Sequence, residues 1–172
     1  MALTKLNFGG SGQGSIATQV SSSLPSGSVL QVVTTSPNFT DVSQVGDTSN
    51  MDSAISVAIT PTSTSNKILL LGALELHLYA VTRVDAYVEL HRTIGGTTTT
   101  LDYVTVYNLH GSGSYYPYHS DKVPFMNLDS PNTTSAVTYS LTFRQGASSG
   151  TVYSCHANGL GASNIVAQEI KG

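Results

Sequence analysis

The chain consists of short runs of β-forming residues that alternate with clusters of turn-forming residues. Residues 54–60 form the clearest run, because Ile55, Val57 and Ile59 alternate with smaller or polar side chains. Alternation with a period of two is typical of a strand that buries one face. About nine such runs follow residue 28, many at the spacing of about 8–12 residues that sandwiches and barrels show. They are residues 29–35, 54–60, 67–80, 84–93, 98–109, 122–128, 136–144, 151–157 and 164–170. The longest and most apolar run, 67–80, is expected to be central in a sheet, and Ser, Thr, Pro and Asn at 61–66 and 130–132 predict turns. No stretch has a sustained helical period, so the pattern predicts an all-β sandwich with almost no helix.

The composition agrees with β-structure and argues against several kinds of partner. Charged residues are only 10 % of the chain, against about 25 % in an average soluble domain, while 40 % of the residues are hydrophobic. The seven Lys and Arg residues are scattered, so we expect no nucleic-acid binding. No apolar run approaches the roughly 20 residues that a membrane span needs. The single cysteine excludes an internal disulfide and is typical of a chain folded in a reducing cytoplasm.

The first 27 residues differ from the rest of the chain. They contain four closely spaced glycines and a run of three serines, and such a segment cannot bury enough surface to fold alone. It also carries apolar side chains that a pure solvent linker lacks, namely Leu3, Leu6, Phe8, Ile16 and Val20. We therefore expect an extended N-terminal anchoring arm over residues 1–27 and a folded head over residues 28–172.

Several stretches of the head are similar to a known group of proteins. They are residues 26–33 (SGSVLQVV), 54–71 (AISVAITPTSTSNKILLL), 128–139 (LDSPNTTSAVTY) and 164–170 (NIVAQEI). Together they resemble virion proteins of tailed bacteriophages, over most of residues 26–172, and the opening MALTKL is similar to the start of phage fibre proteins. The resemblance implies a jelly-roll head of the C1q or tumour-necrosis-factor kind, usually trimeric, on the virion exterior. It brings no catalytic residues with it.

Two of the predicted strands, residues 73–79 and 85–91, are joined by a short connection and are expected to form a hairpin. If Tyr79 pairs with Asp85, the polar side chains of both strands share one face. That face would carry Glu75, His77, Glu89 and His91, with Tyr79 and Tyr87 beside them.

This polar face has three interpretations. It can be an ordinary solvated face, since exposed sheet faces are polar. It can be a subunit contact in which Tyr79 and Tyr87 supply area and His77 and His91 bond to carboxylates. The four His and Glu side chains can also bind a divalent metal, although we expect no metal and no cofactor.

A glycine-containing loop, residues 111–119 (GSGSYYPYH), concentrates aromatic side chains. Its candidate contact residues are Tyr115, Tyr116, Tyr118 and His119. Tyrosines of this kind suit contact surfaces, including surfaces that bind sugars. The alternative is that the loop packs over the end of the sandwich or seals a subunit contact.

The sequence therefore predicts a structural protein rather than an enzyme. The expected protein is a homotrimer on the virion exterior, assembled in the cytoplasm of the bacterial host. Its arm would attach to the major capsid protein or to another virion protein, and the trimer would decorate or cement the capsid. The alternative is a short fibre or knob that binds a glycan on the host surface.

Overall fold

A computed structural model describes residues 24–35, 42–45, 52–79, 84–108, 118–146, 151–154 and 163–172. At 42–45, 52–54, 78–79, 84, 107–108, 118–120 and 151–154 only the backbone is described. The strands are β1 (Val29–Thr34), β2 (Val42–Val45), β3 (Asp52–Ile59), β4 (Lys67–Tyr79), β5 (Val84–Ile94), β6 (Thr97–Asn108), β7 (Tyr118–Asp129), β8 (Val137–Gln145), β9 (Thr151–Ser154) and β10 (Asn164–Ile170). These ranges contain no helix, and so no helix long and apolar enough to cross a membrane. The predicted all-β class is confirmed.

The strands pair as a set of nested antiparallel ribbons. β1 pairs with β10, β3 with β8, β4 with β7 and β5 with β6, and successive pairs lie in alternate sheets. The first sheet has the order β1-β10-β4-β7, and the second has the order β3-β8-β5-β6. The short strands β2 and β9 pair with each other, and β9 also pairs with the end of β4. Eight main strands wound in this order form a jelly roll.

The side chains between the two sheets form the apolar core. From β4, Ile68, Leu70, Leu74 and Leu76 point into it and are almost fully buried. The second sheet contributes Val57, Ile59, Ala86, Val88, Leu90, Val137, Tyr139, Leu141 and Phe143. Each large aliphatic side chain buried in this way stabilises the fold by about 1.5–3 kcal/mol. β4 has bonded neighbours along both edges, so the prediction that this long apolar run is a central strand is confirmed.

One end of the sandwich is formed by short turns that the strand register brings together. In the first sheet Ile170 is aligned with Val29 and Lys67, and in the second sheet Val137 is aligned with Ile59 and Ile94. We call this the turn end, and it comprises residues 24–28, 60–66, 95–96, 130–136 and 171–172. At the opposite end of the first sheet Tyr79, the last residue of β4, pairs with Tyr118, the first residue of β7.

A buried carboxylate holds the turn end together. Glu169 of β10 has no exposed surface. Its Oε1 accepts hydrogen bonds from the backbone N (2.6 Å) and Oγ1 (2.8 Å) of Thr62 and from Nδ2 of Asn66 (2.6 Å). Its Oε2 accepts a bond from Nε2 of Gln31 at 2.7 Å. Burial by itself raises the pKa of Glu169, but the bonds from Asn66, Thr62 and Gln31 together outweigh it and the pKa lies below its ordinary value.

A second polar cluster connects the two sheets near the same end. Asp129, at the end of β7, accepts a bond from Nη1 of Arg92 at 2.8 Å and from the hydroxyl of Tyr139 at 2.7 Å. Arg92 and Tyr139 are register partners in the second sheet, whereas Asp129 belongs to the first. The cluster therefore fixes the position of one sheet relative to the other.

The expected hairpin between residues 73–79 and 85–91 is wrong. β4, which contains the first segment, lies in the first sheet, and β5, which contains the second, lies in the second sheet. The connection between them passes from one sheet to the other, as the connections of a jelly roll do. Periodicity within each strand showed which side chains share a face, but it carried no information about which strand lies alongside.

Candidate functional site

The outer face of the first sheet is apolar where an exposed sheet face is normally polar. The buried residues of β4 alternate with Leu69, Leu71 and Ala73, which therefore point away from the core. Across the sheet Leu69 is aligned with Leu128 of β7, and Leu71 is aligned with Met126. Met126 is 74 % exposed and Leu128 is 54 % exposed.

The same rows continue to the other edge of the sheet. Leu69 is aligned with Gln168 of β10 and, beyond it, with Val32 of β1, which is 53 % exposed. Leu71 is aligned with Val166 of β10. We call this surface the apolar face, and it comprises Val32, Leu69, Leu71, Pro124, Met126, Leu128 and Val166.

The apolar face is large enough to act as a contact surface. At ordinary strand and residue spacings each outward position of a sheet covers about 30 Å², so the seven side chains of the apolar face, with Ala73 between them, cover roughly 250–300 Å². Thr34, Asn164 and Gln168 are the polar side chains within these rows, and all three are uncharged. The largest apolar patch on a soluble monomer is typically about 300–600 Å², and it is often a functional surface.

The apolar face becomes polar towards the opposite end of the sheet. Glu75 and His77 follow Ala73 on the same side of β4, and both are buried. Oε1 of Glu75 lies 3.7 Å from Nε2 of His77, and Lys122 of β7 is aligned with Glu75. The backbone N of Glu75 donates to the hydroxyl of Ser163 at 3.0 Å.

The outer face of the second sheet has a different chemistry. On β5, Oε2 of Glu89 lies 2.7 Å from Nε2 of His91 and accepts a bond from Thr100 at 3.3 Å. The guanidinium of Arg144 stacks on the ring of Tyr87 at 4.0 Å from the ring centre. Most of the other side chains on this face are Ser and Thr.

The four candidate metal ligands fall into two separate pairs. Glu75 and His77 lie on the first sheet, and Glu89 and His91 lie on the second. No group of three or more His, Cys, Asp or Glu side chains within the described ranges is placed to hold a metal ion. The strand pairing that motivated the metal interpretation is therefore wrong. Glu75 still lies beside His77 on β4, and Glu89 still lies beside His91 on β5.

The other predicted site residues are only partly described. Tyr87 and His91 share the outer face of the second sheet, and His77 lies on the first, so these three candidates belong to two surfaces. Tyr79, Tyr118 and His119 are described by their backbone alone, and they lie at the end opposite the turn end. Outside the described residues lie Tyr115, Tyr116, Leu3, Leu6, Phe8, Ile16 and Val20. Their roles as contact loop and arm stay predictions.

Sequence reasoning missed the apolar face. One signal was present, because residues 68–71 (ILLL) are apolar without alternation and so predict a strand with apolar side chains on both faces. Met126 and Leu128 repeat that signal weakly on β7. The face itself depends on four strands that are distant in sequence.

Comparison with known proteins gives remote structural similarity alone. No protein-family model and no curated protein matches the chain. A structure of the infectious bursal disease virus Gx strain is 15 % identical with a TM-score of 0.48, over 86 % of this chain and 33 % of that one. The VP2 subviral particle of the same virus is 16 % identical with a TM-score of 0.41, over 81 % of this chain and 39 % of that one. The chain thus spans little more than a third of these proteins, and the jelly-roll assignment rests on strand order and register.

Proposed function

We propose that the protein is a structural component of a bacteriophage virion, and that it acts as a homotrimer whose copies meet through the apolar face. The observation that supports the proposal is the exposure of Leu71, Met126, Leu128 and Val32 on one side of the first sheet. Subunit interfaces usually have an apolar centre with few charged residues and a polar rim, and the apolar face has this pattern. The fold supplies the rigid support for that contact.

The size of the apolar face fits this role. Burial of roughly 300 Å² of apolar surface contributes about 7 kcal/mol per copy. Association costs about 4–15 kcal/mol, and a standard interface buries about 800 Å² per partner. The apolar face therefore supplies the centre of a contact whose margin comes from surrounding polar residues. Loss of one or two of its side chains is expected to shift the oligomeric state.

The arm supports an anchoring role in this proposal. Residues 1–23 precede Leu24, which lies at the turn end, and they carry apolar side chains with a single charge at Lys5. In a trimer three arms bind together, so weak individual contacts add up to a strong attachment. The predicted partner is the major capsid protein or another virion protein, and the predicted role is to decorate or cement the capsid.

Replacement of Leu71 and Met126 by serine tests the trimer. Both side chains point away from the core, so L71S/M126S is expected to keep its β-type circular dichroism spectrum. Sedimentation velocity is expected to show a trimer for the original protein and a monomer for the variant. The matched control is Tyr103→Ser, since Tyr103 is 67 % exposed on β6 of the other sheet. A monomeric original protein, or a variant that remains trimeric, would contradict the proposal.

A virion that lacks the protein separates decoration from receptor binding. We expect such particles to adsorb to the host normally but to lose their contents at lower temperature. The second candidate, a short fibre or knob, is favoured by one observation: the backbone of Tyr118, with which β7 begins, lies at the end opposite the turn end. Lost adsorption with retained capsid stability would support that candidate.

A further inference from the structure

The turn end is chemically unlike the rest of the surface. Its turns at residues 24–28 (LPSGS), 60–66 (TPTSTSN), 95–96 (GG) and 130–136 (SPNTTSA) contain no charged residue, and β6 continues with four threonines, 97–100. Among the described residues, the charges at this end of the sandwich are Lys67, Lys171, the buried Glu169 and the ion pair of Arg92 with Asp129. Charged residues are depleted at the centre of protein interfaces because their desolvation is costly. The composition of the turn end is therefore that of a contact surface.

The turns are also held in fixed conformations. Gly27, Gly95 and Gly96 have φ values of 87°, 55° and 83°, a region that side chains other than glycine rarely adopt. Asn132 has a φ of 52°, which asparagine tolerates better than most residues. The buried carboxylate of Glu169 holds the turn at 60–66 by accepting hydrogen bonds from Thr62 and Asn66. A surface that is already ordered loses little conformational entropy on binding.

The last four residues of the predicted arm, 24–27, lie at this end of the head. The backbone N of Gly27 donates to the carbonyl of Lys171 at 2.8 Å, and the backbone N of Lys171 donates to Ser28 at 2.9 Å. Nζ of Lys171 donates to the carbonyl of Leu24. Hydrogen bonds thus hold residues 24–28 against the end of β10, and residues 1–23 precede this point in the sequence.

We infer that the turn end is the surface by which the head docks on the virion protein that carries it. The inference rests on the proposed function and names the docking surface. The partner is a protein surface with few charges, recognised through hydroxyl and backbone hydrogen bonds of the turns. The arms, which start beside this surface, reinforce the contact through a common attachment. Because few charges take part, added salt weakens the binding little.

Charged substitutions at the tips of two turns test the inference. Thr64 and Thr134 are exposed, and each is replaced by glutamate in the full-length protein. The control is Tyr103→Glu, which adds the same charge to an exposed position on the side of the head. Each protein is mixed with particles that lack it, and the bound fraction is measured by co-sedimentation at low and high salt. Melting temperature and sedimentation velocity show that each variant is folded and has the original oligomeric state.

We expect T64E and T134E to bind at least about tenfold more weakly than the original protein, since a charge is then buried in the contact without a partner. Tyr103→Glu is expected to bind like the original. Equal binding by all four proteins would overturn the inference and leave the proposed function intact. Failure of the original protein to bind any particle would instead refute the proposed function. Strong weakening by salt would also overturn the inference, since it would point to a charged contact.

Discussion

Replacement of Glu169 by glutamine perturbs the carboxylate that holds the turn end together. The carboxylate accepts four hydrogen bonds and donates none: three reach Oε1, from Thr62 and Asn66, and one reaches Oε2, from Gln31. A glutamine side chain has one oxygen and one NH₂ group. If the oxygen takes the place of Oε1, its NH₂ group faces the NH₂ group of Gln31. If the orientation is reversed, three donors lose their acceptor.

The orientation with the glutamine oxygen in the place of Oε1 costs less free energy. It therefore sets the expected loss of stability. Gln31 must then move or turn its amide, which also breaks its bond to the carbonyl of Thr60 at 2.8 Å. A hydrogen bond to a charged group contributes about 1.5–3 kcal/mol, and an unsatisfied buried donor costs about 1–3 kcal/mol. Glu169→Gln is therefore expected to lower the free energy of unfolding by about 2–4 kcal/mol. For a chain of this length that corresponds to a fall in Tm of roughly 5–15 °C.

Urea and thermal unfolding followed by circular dichroism measure this loss. The protein concentration must be the same for every variant, because the stability of an oligomer depends on it. Asp102→Asn is the control, since Asp102 is exposed on β6 and the variant loses the same charge. A loss below about 1 kcal/mol for Glu169→Gln, with an unchanged m-value, would refute the reasoning. Free rearrangement of the buried donors would then be the better account.

Two further predictions concern the same buried polar groups. The folded pKa of Glu169 lies below its ordinary value of 4.5, so its contribution to stability is complete above that pH and is lost as the pH falls through the folded pKa. The difference in unfolding free energy between the original protein and Glu169→Gln should be constant near neutral pH and should shrink below about pH 4.5; a gap that widens in acid would contradict this. Burial and the bond to Asp129 raise the pKa of Tyr139 well above its ordinary value, so its hydroxyl stays protonated and donates. Tyr139→Phe should cost about 1–3 kcal/mol in urea unfolding, whereas Tyr103→Phe on the exposed surface should cost almost nothing, and equal costs would argue against the connection between the sheets.

Local pattern was sufficient to predict the strands. Residues 54–60 alternate, and β3 buries Ile55, Val57 and Ile59 as that alternation requires. The long apolar run at 67–80 was expected to be central, and β4 has neighbours on both edges. The turn signals at 61–66 and 130–132 also lie between strands, as expected. These predictions succeed because backbone geometry forces the side chains of a strand to alternate, whatever the strand is paired with.

The partners of each strand could not be predicted in the same way. The segment with Glu75 and His77 and the segment with Glu89 and His91 are close in sequence, and short connections usually join paired strands. In a jelly roll the connection crosses to the other sheet instead, so the expected four-residue polar face does not form. The two Glu and His pairs do form, because residues i and i+2 on one strand lie on the same face.

The sequence by itself determined the β-class, the scarcity of charge, the uncharged turns and the boundaries of most strands, because each depends on residues within a few positions of one another. Only the tertiary structure decided where surfaces form. The apolar face joins Val32, Leu71, Met126 and Val166, and the carboxylate of Glu169 meets donors that lie 103–138 positions away in the chain. Contacts at that separation depend on strand order and register, which follow from the packing of the whole core rather than from any local segment.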